Sequence, residues 1–147
     1  MNTLQTDNIL TKILGIQFKG VYSYDSVFPI SKKFPYGFVI NTDPYGKPGK
    51  HWQAIWVPNK NTAEFFDSFG DKPKKNVENF LKKFKNTKKN SKKLQDNYES
   101  SCGPYVLYFL IRRSLGVTNE NIINSLANRR YNDAFVKLFV YNILNYI

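Results

Sequence analysis

The stretch HWQAIWVPNKNTAEFFDSFG, residues 51–70, decides how this chain folds. His51–Val57 is rich in aromatic and β-branched residues, which suit a pleated, half-buried surface. Pro58–Asn61 carries turn formers. Thr62–Phe69 is a second run of the same kind, and Gly70 ends it. Two such runs around a short turn predict an antiparallel β-hairpin. A hairpin also decides which side chains meet, because directly opposed residues share a face with Cβ atoms ~4.5–5.5 Å apart. A turn centred on Asn59 sets Asp67 opposite His51. A centre between Asn59 and Lys60 sets it opposite Trp52, and a slip of one residue moves every side chain to the other face.

Upstream, Gly37–Thr42 reads as a short buried strand and Gly20–Phe28 as a strand or loop. Asp7–Leu14 reads as a short helix, with Thr6 or Asp7 as its cap and Gly15 as its end. Asp43–Lys50, with two Pro and two Gly, is a turn-rich loop. Downstream, Pro73 suits a first helical position, and Val77, Phe80, Leu81 and Phe84 form an amphipathic stripe behind it. Lys85–Lys93 reads as polar and mobile. Cys102-Gly103-Pro104 opens an apolar segment that runs to Leu115 and Gly116, too long for a strand and therefore a buried helix. Thr118–Ala127 and Asp133–Ile147 predict two more helices. The last is apolar nearly all round and is expected to pack in the interior. The expected fold is α+β: one domain over residues 1–147, a mainly antiparallel central sheet packed against helices, and Cys102 at the N-terminus of the buried helix.

Composition excludes several function classes. The 147 residues include 22 Lys+Arg and 11 Asp+Glu, a formal net charge of +11, with 41% hydrophobic residues, enough for a core. One Cys excludes an internal disulfide, and one Cys with one His cannot furnish a zinc site. The acids show no clustering that suggests Mg²⁺ or Ca²⁺. The first residues lack the pattern of a secretory signal. The longest apolar run, Tyr105–Ile111, is far short of the ~20 residues that span a bilayer. The expectation is a soluble intracellular protein in a reducing compartment, with no metal and no membrane partner.

A thiol nucleophile needs a base, a group that orients the base, and donors for the oxyanion. Cys102 precedes a helix, whose N-terminal field favours thiolate, although most free cysteines are inert core residues. His51 is the one side chain whose ordinary pKa lies near neutrality, or an incidental histidine. Asp67 lies among Phe65, Phe66 and Phe69, where a carboxylate needs a partner; the alternative is a turn cap near Ser68 and Gly70. Gln95 precedes Cys102 by seven residues and has an amide to donate, or is simply solvated.

NTDPYGKPGKHWQAIWV, FFDSFG and LQDNYESSCG resemble, in order and spacing, the adenovirus-type (adenain-like) cysteine proteases, over roughly residues 37–115. These belong to the same clan as the SUMO- and ubiquitin-like-protein proteases, and the short chain is similar to compact members from virophages and virus-like transposons. The resemblance implies a thiol endopeptidase. Cys102 is its nucleophile, His51 its base and acid, and Asp67 orients the imidazole. Gln95 and the Cys102 N–H bind the oxyanion. It implies cleavage of viral capsid precursors at small-residue or Gly-containing sites during virion maturation, inside the virion and the infected cell, cytoplasm or nucleus. It also implies that Trp52 walls the substrate channel, unless Trp52 is core. The chemistry needs no cofactor, and DNA is an expected activator. A disulfide-linked peptide activator is not expected, because the only cysteine is the nucleophile. The clan leaves a ubiquitin-like-protein isopeptidase as an alternative.

Residues 72–93 hold ten Lys and one acid, Glu78. Such a run is usually a solvated face. As a polyanion site it would use Lys74, Lys75, Lys82, Lys83, Lys85, Lys88, Lys89, Lys92 and Lys93 to neutralise phosphates of viral DNA without reading bases. The same charge suits a non-enzymatic DNA-packaging protein.

Overall fold

The computed structural model describes residues 2–42, 51–96 and 102–146, with the side chain of Cys102 outside that description. In chain order the elements are α1 (Thr3–Leu14), β1 (Phe18–Ser23), β2 (Tyr36–Asn41), β3 (Trp52–Asn59), β4 (Thr62–Asp67), α2 (Lys75–Leu81), β5 (Asn86–Lys89), α3 (Cys102–Ser114), α4 (Asn119–Ala127) and α5 (Asn132–Leu144). The strands form one sheet in the order β1-β2-β3-β4-β5. Its centre, β2-β3-β4, is antiparallel as expected, and both edge strands join in parallel. The fold is α+β. The expected loop Asp43–Lys50 lies outside the described residues.

Strand alternation sends successive side chains to opposite faces. Trp52, Ala54, Trp56 and Phe66 enter a core with α1, α3, α4 and α5. Ile55, Val57, Ala63 and Phe65 enter a second core closed by Val77, Phe80 and Leu81 of α2. The sheet is thus covered on both faces. Phe66 stacks on Phe109 of α3, ring centroids 4.6 Å apart. This contact and others like it seat α3, and with it the backbone of Cys102, against the hairpin.

Four local expectations need correction. Helix α1 starts at Thr3, not Asp7: the Asn2 side chain accepts from the Gln5 N–H and the Gln5 side chain accepts from the Asn2 N–H, a capping box ahead of the expected caps. Pro73 lies before α2, whose N-cap is Lys74. The lysine-rich stretch is not uniformly irregular, because Asn86–Lys89 pairs in parallel with β4. An edge strand rich in lysine resists pairing with further chains, which explains why polar residues are tolerated in a sheet here. Helix α5 buries Val136 and Val140 but leaves Leu138 and Tyr141 57% and 62% exposed, so one stripe, not the whole helix, is interior. No helix among the described residues is long and apolar enough to cross a membrane.

Gly70 lies three residues past the end of β4. Its φ is +73°, and a Cβ there would lie 2.5 Å from the Ser91 carbonyl oxygen and 2.9 Å from the Lys92 carbonyl carbon. Both obstacles are backbone, and the left-handed conformation itself penalises a side chain. Gly70→Ala should therefore cost about 2–4 kcal/mol, from overpacking plus backbone strain. Denaturant melts would show it, and a variant within 0.5 kcal/mol of wild type would mean that the turn relaxes freely.

Candidate active site

His51 sits immediately before β3, where β2 holds its backbone: the Thr42 N–H and Oγ1 both donate to the His51 carbonyl, at 2.9 and 3.0 Å. The hairpin register is not the one centred on Asn59. Asn59 pairs with Thr62 across a Lys60-Asn61 turn, and beyond a register shift Ala54 pairs with Phe66 and Gln53 with Asp67. The displacement is two residues along β3, so the face is kept. Asp67 still meets His51, now diagonally across the strand end. The ring Nε2 and the Asp67 Oδ2 are 2.8 Å apart.

Asp67 is fully buried, and its environment explains how. Oδ2 accepts from Gln53 Nε2 at 2.6 Å as well as from the imidazole, and Oδ1 accepts from the Phe69 N–H at 2.7 Å. Asn90 clamps the backbone on both sides: the Asp67 N–H donates to Asn90 Oδ1, and Asn90 Nδ2 donates to the Asp67 carbonyl. A carboxylate with this many donors is satisfied without water. The ring of Phe69 lies 4.9 Å from that of His51 and confines it from one side.

Gln95 is buried, not solvated. Ser68, the residue after Asp67, turns to the other side and donates from Oγ to Gln95 Oε1 at 2.6 Å. Its carbonyl accepts from the Leu94 and Gln95 N–H groups. With Oε1 taken by Ser68, the other end of the amide is the donor, Nε2. From the far side, Asn132 Nδ2 donates to the Leu94 carbonyl, and Asp96 and Asp133 exchange backbone-to-carboxylate hydrogen bonds at 3.0 Å each. Tyr105, in the first turn of α3, donates to Asp133 Oδ1 at 2.7 Å. Burial, and then the Asp133 carboxylate, push its phenol far up, so it stays a donor. The segment carrying Gln95 is therefore tied both to the hairpin and to the helix that Cys102 opens.

Cys102 is the first residue of α3, as its sequence position predicted. Its thiol and the intervening loop, residues 97–101, lie outside the described residues. Trp52 is 3% exposed and packs in the core against α3, the second of the two roles open to it. Sequence reading missed Gln53, Ser68, Asn90 and Asp133. For Gln53 a signal existed: strand alternation puts this polar residue on the His51 face, next to Ile55. Asn90 carries no comparable signal among its Lys and Asn neighbours.

Ser68→Ala should reduce turnover about 10-fold, the worth of one buried hydrogen bond, by freeing the Gln95 amide to rotate. Measured kcat should fall more than KM rises. An unchanged kcat would show that packing alone holds the amide.

One set of potential metal ligands occurs among the described residues, His51, Asp67 and Asp71, with ligand atoms within 4.8 Å of one another. The facing atoms of His51 and Asp67 are already bonded to each other and to Gln53, so an ion there would have to break that network.

The lysines do not share one face. Lys88 and Lys89, neighbours in β5, point to opposite sides of the sheet: Lys88 reaches Glu120 at 2.7 Å and Lys89 reaches Glu78 at 2.9 Å. Lys92 reaches the Ala127 carbonyl at 3.4 Å. Lys74, Lys83 and Lys93 lie over the rings of Tyr24, Phe80 and Phe69. Arg113 is engaged by Glu64.

No protein-family model matches the chain. A protein of Acanthamoeba polyphaga mimivirus, R355, named as a thiol protease, is 35% identical over 106 residues, 64% of this chain and 35% of its own length. A cysteine protease of African swine fever virus is 31% identical over 103 residues, 61% of this chain and 38% of its own length. The matched region is thus little more than a third of these curated relatives. Among solved structures, the African swine fever virus protease superposes with a TM-score of 0.61 over 92% of this chain and 64% of its own, at 18% identity. The central domain of Lpg1148 from Legionella pneumophila superposes with a TM-score of 0.55 over 99% and 98% of the two chains, at 14% identity. At those identities the superpositions speak for the fold alone. The sequence matches are to viral thiol and cysteine proteases, over 64% and 61% of this chain.

Proposed function

We propose that the chain is a thiol endopeptidase that processes viral proteins, capsid precursors in particular, at small-residue or Gly-containing sites. The observation that carries the reading is the pair of half-buried His51 and buried Asp67, 2.8 Å apart, at the end of the strand pair packed on the Cys102 helix.

The roles follow from the hydrogen bonds. Asp67 accepts a hydrogen bond from His51 Nε2–H, so Nδ1 is the ring nitrogen that takes the thiol proton. Cys102, as thiolate, attacks the scissile carbonyl. The developing oxyanion is met by the Gln95 Nε2 donor and the Cys102 N–H. Imidazolium, stabilised by Asp67, returns its proton to the leaving amine, and water then hydrolyses the thioester by the same route. Because Gln53 and Phe69 also donate to Asp67, the acid holds its orientation throughout the cycle.

Alkylating the one thiol with iodoacetamide tests the reading. Cleavage of Gly-containing capsid-precursor peptides by the untreated protein is expected to disappear. Cleavage that survives complete alkylation would remove Cys102 from the mechanism.

A further inference from the structure

Beside His51 lies a cleft of about 480 Å³, walled by Thr42, His51, Gln53, Phe69, Asp71, Lys72, Lys74 and Lys93. Its volume suits a few residues of peptide rather than a lone ion, being within the ~300–1,000 Å³ of ordinary ligand sites. Among the described residues, its lining holds Lys72 and Lys74, and Lys93 over the Phe69 ring, against one exposed carboxylate, Asp71, while Asp67 is already matched by the imidazole. The neighbouring lysines differ. Lys88 and Lys89 are ion-paired, whereas Lys72 and Lys74 form no ion pair among the described residues.

The position gives the cleft a direction. The imidazole that must protonate the leaving amine also forms a wall of the cleft, so the chain on the leaving-group side of the cut passes along it. We propose that this cleft is a specificity site for a carboxylate side chain, Asp or Glu, within the few residues that follow the scissile bond in a protein substrate. This rests on the endopeptidase reading. Lys72 and Lys74 neutralise the carboxylate and Phe69 supports its methylene stem.

The lysines are exposed, so each contributes modestly and salt screens it. The experiment compares matched Gly-containing peptides carrying Glu or Gln at each of the three positions after the cut. Wild type is expected to favour Glu at one of them by about 10-fold in kcat/KM, mostly through KM, and less so in high salt. Lys72→Ala/Lys74→Ala should bring that ratio near one, and Lys72→Glu/Lys74→Glu should invert it. Lys137→Ala on α5, which removes one charge elsewhere, should keep it. A wild-type ratio below about two at every position, or a ratio that the double variants leave intact, overturns the inference while cleavage itself upholds the endopeptidase. Loss of DNA-oligonucleotide binding in the double variants, with the ratio unchanged, assigns the cleft to phosphates and overturns it as well. Absence of cleavage of every peptide takes down the endopeptidase reading and this site together.

Discussion

Asp67→Asn is expected to lower kcat on Gly-containing peptides by about 10³–10⁴-fold while leaving the chain folded, the loss seen when a triad acid forces the wrong imidazole tautomer. The new amide would set Nδ2 against two donors, His51 Nε2 and Gln53 Nε2. Gln53 has a remedy. Its Oε1 is buried without a hydrogen-bond partner among the described residues, so rotating the amide turns a repulsion into a bond. Imidazole has none except to move its proton: Nε2 becomes the acceptor and Nδ1 carries the hydrogen. The nitrogen that should receive the thiol proton is then blocked. Stopped kinetics, a melting curve and nitrogen NMR of the single histidine check the three parts of this expectation. A variant that keeps more than a tenth of wild-type kcat would falsify the assignment of Asp67 as the orienting acid.

The second large effect concerns stability. Glu64 in β4 is 1% exposed, and Arg113 of α3 meets it with two parallel bonds, Nε to Oε1 at 2.9 Å and Nη2 to Oε2 at 2.8 Å. Asn119 adds a third donor, and Arg113 Nη1 caps the Val117 carbonyl beyond the helix end. Arg113→Ala strands a buried carboxylate with Asn119 as its remaining donor, which should destabilise the chain by about 3–5 kcal/mol. At this chain length that corresponds to a fall of about 6–20 °C in Tm. Glu64→Gln/Arg113→Met should recover much of the loss, because the cost lies in the unpaired charge rather than in the missing contact. If the double variant is as unstable as Arg113→Ala, the pair acts through shape and not through charge.

The helix and strand cores were legible because their periodicities are strong: Val77, Phe80 and Leu81 on α2 and the alternating run on β3 read directly as buried faces. Candidate residues were legible through residue type, since one sulfur and one imidazole leave few choices, and the structure brings His51 and Asp67 together. Register was harder. The turn lies at Lys60-Asn61, further along than Pro58–Asn61 suggested, and a register shift between Trp56 and Asn59 then returns the pairing to the parity that puts Asp67 on the His51 face. Parity, not the partner, carried the inference that His51 and Asp67 meet. The supporting polar residues were not legible. Ser68, Asn90 and Asp133 act through backbone groups distant in sequence, and single-chain patterns do not encode such pairings. The lysine run misled as to structure because β5 owes its pairing to β4, not to its own composition.

Asp67 and Ser68 are consecutive, yet one bonds the His51 imidazole and the other the Gln95 amide. A small molecule that prised this turn from residues 91–95 would disturb both of these hydrogen bonds at once. Resistance to such an inhibitor should arise slowly, because the close approach at Gly70 is made by the main chain of Ser91 and Lys92, which no substitution removes.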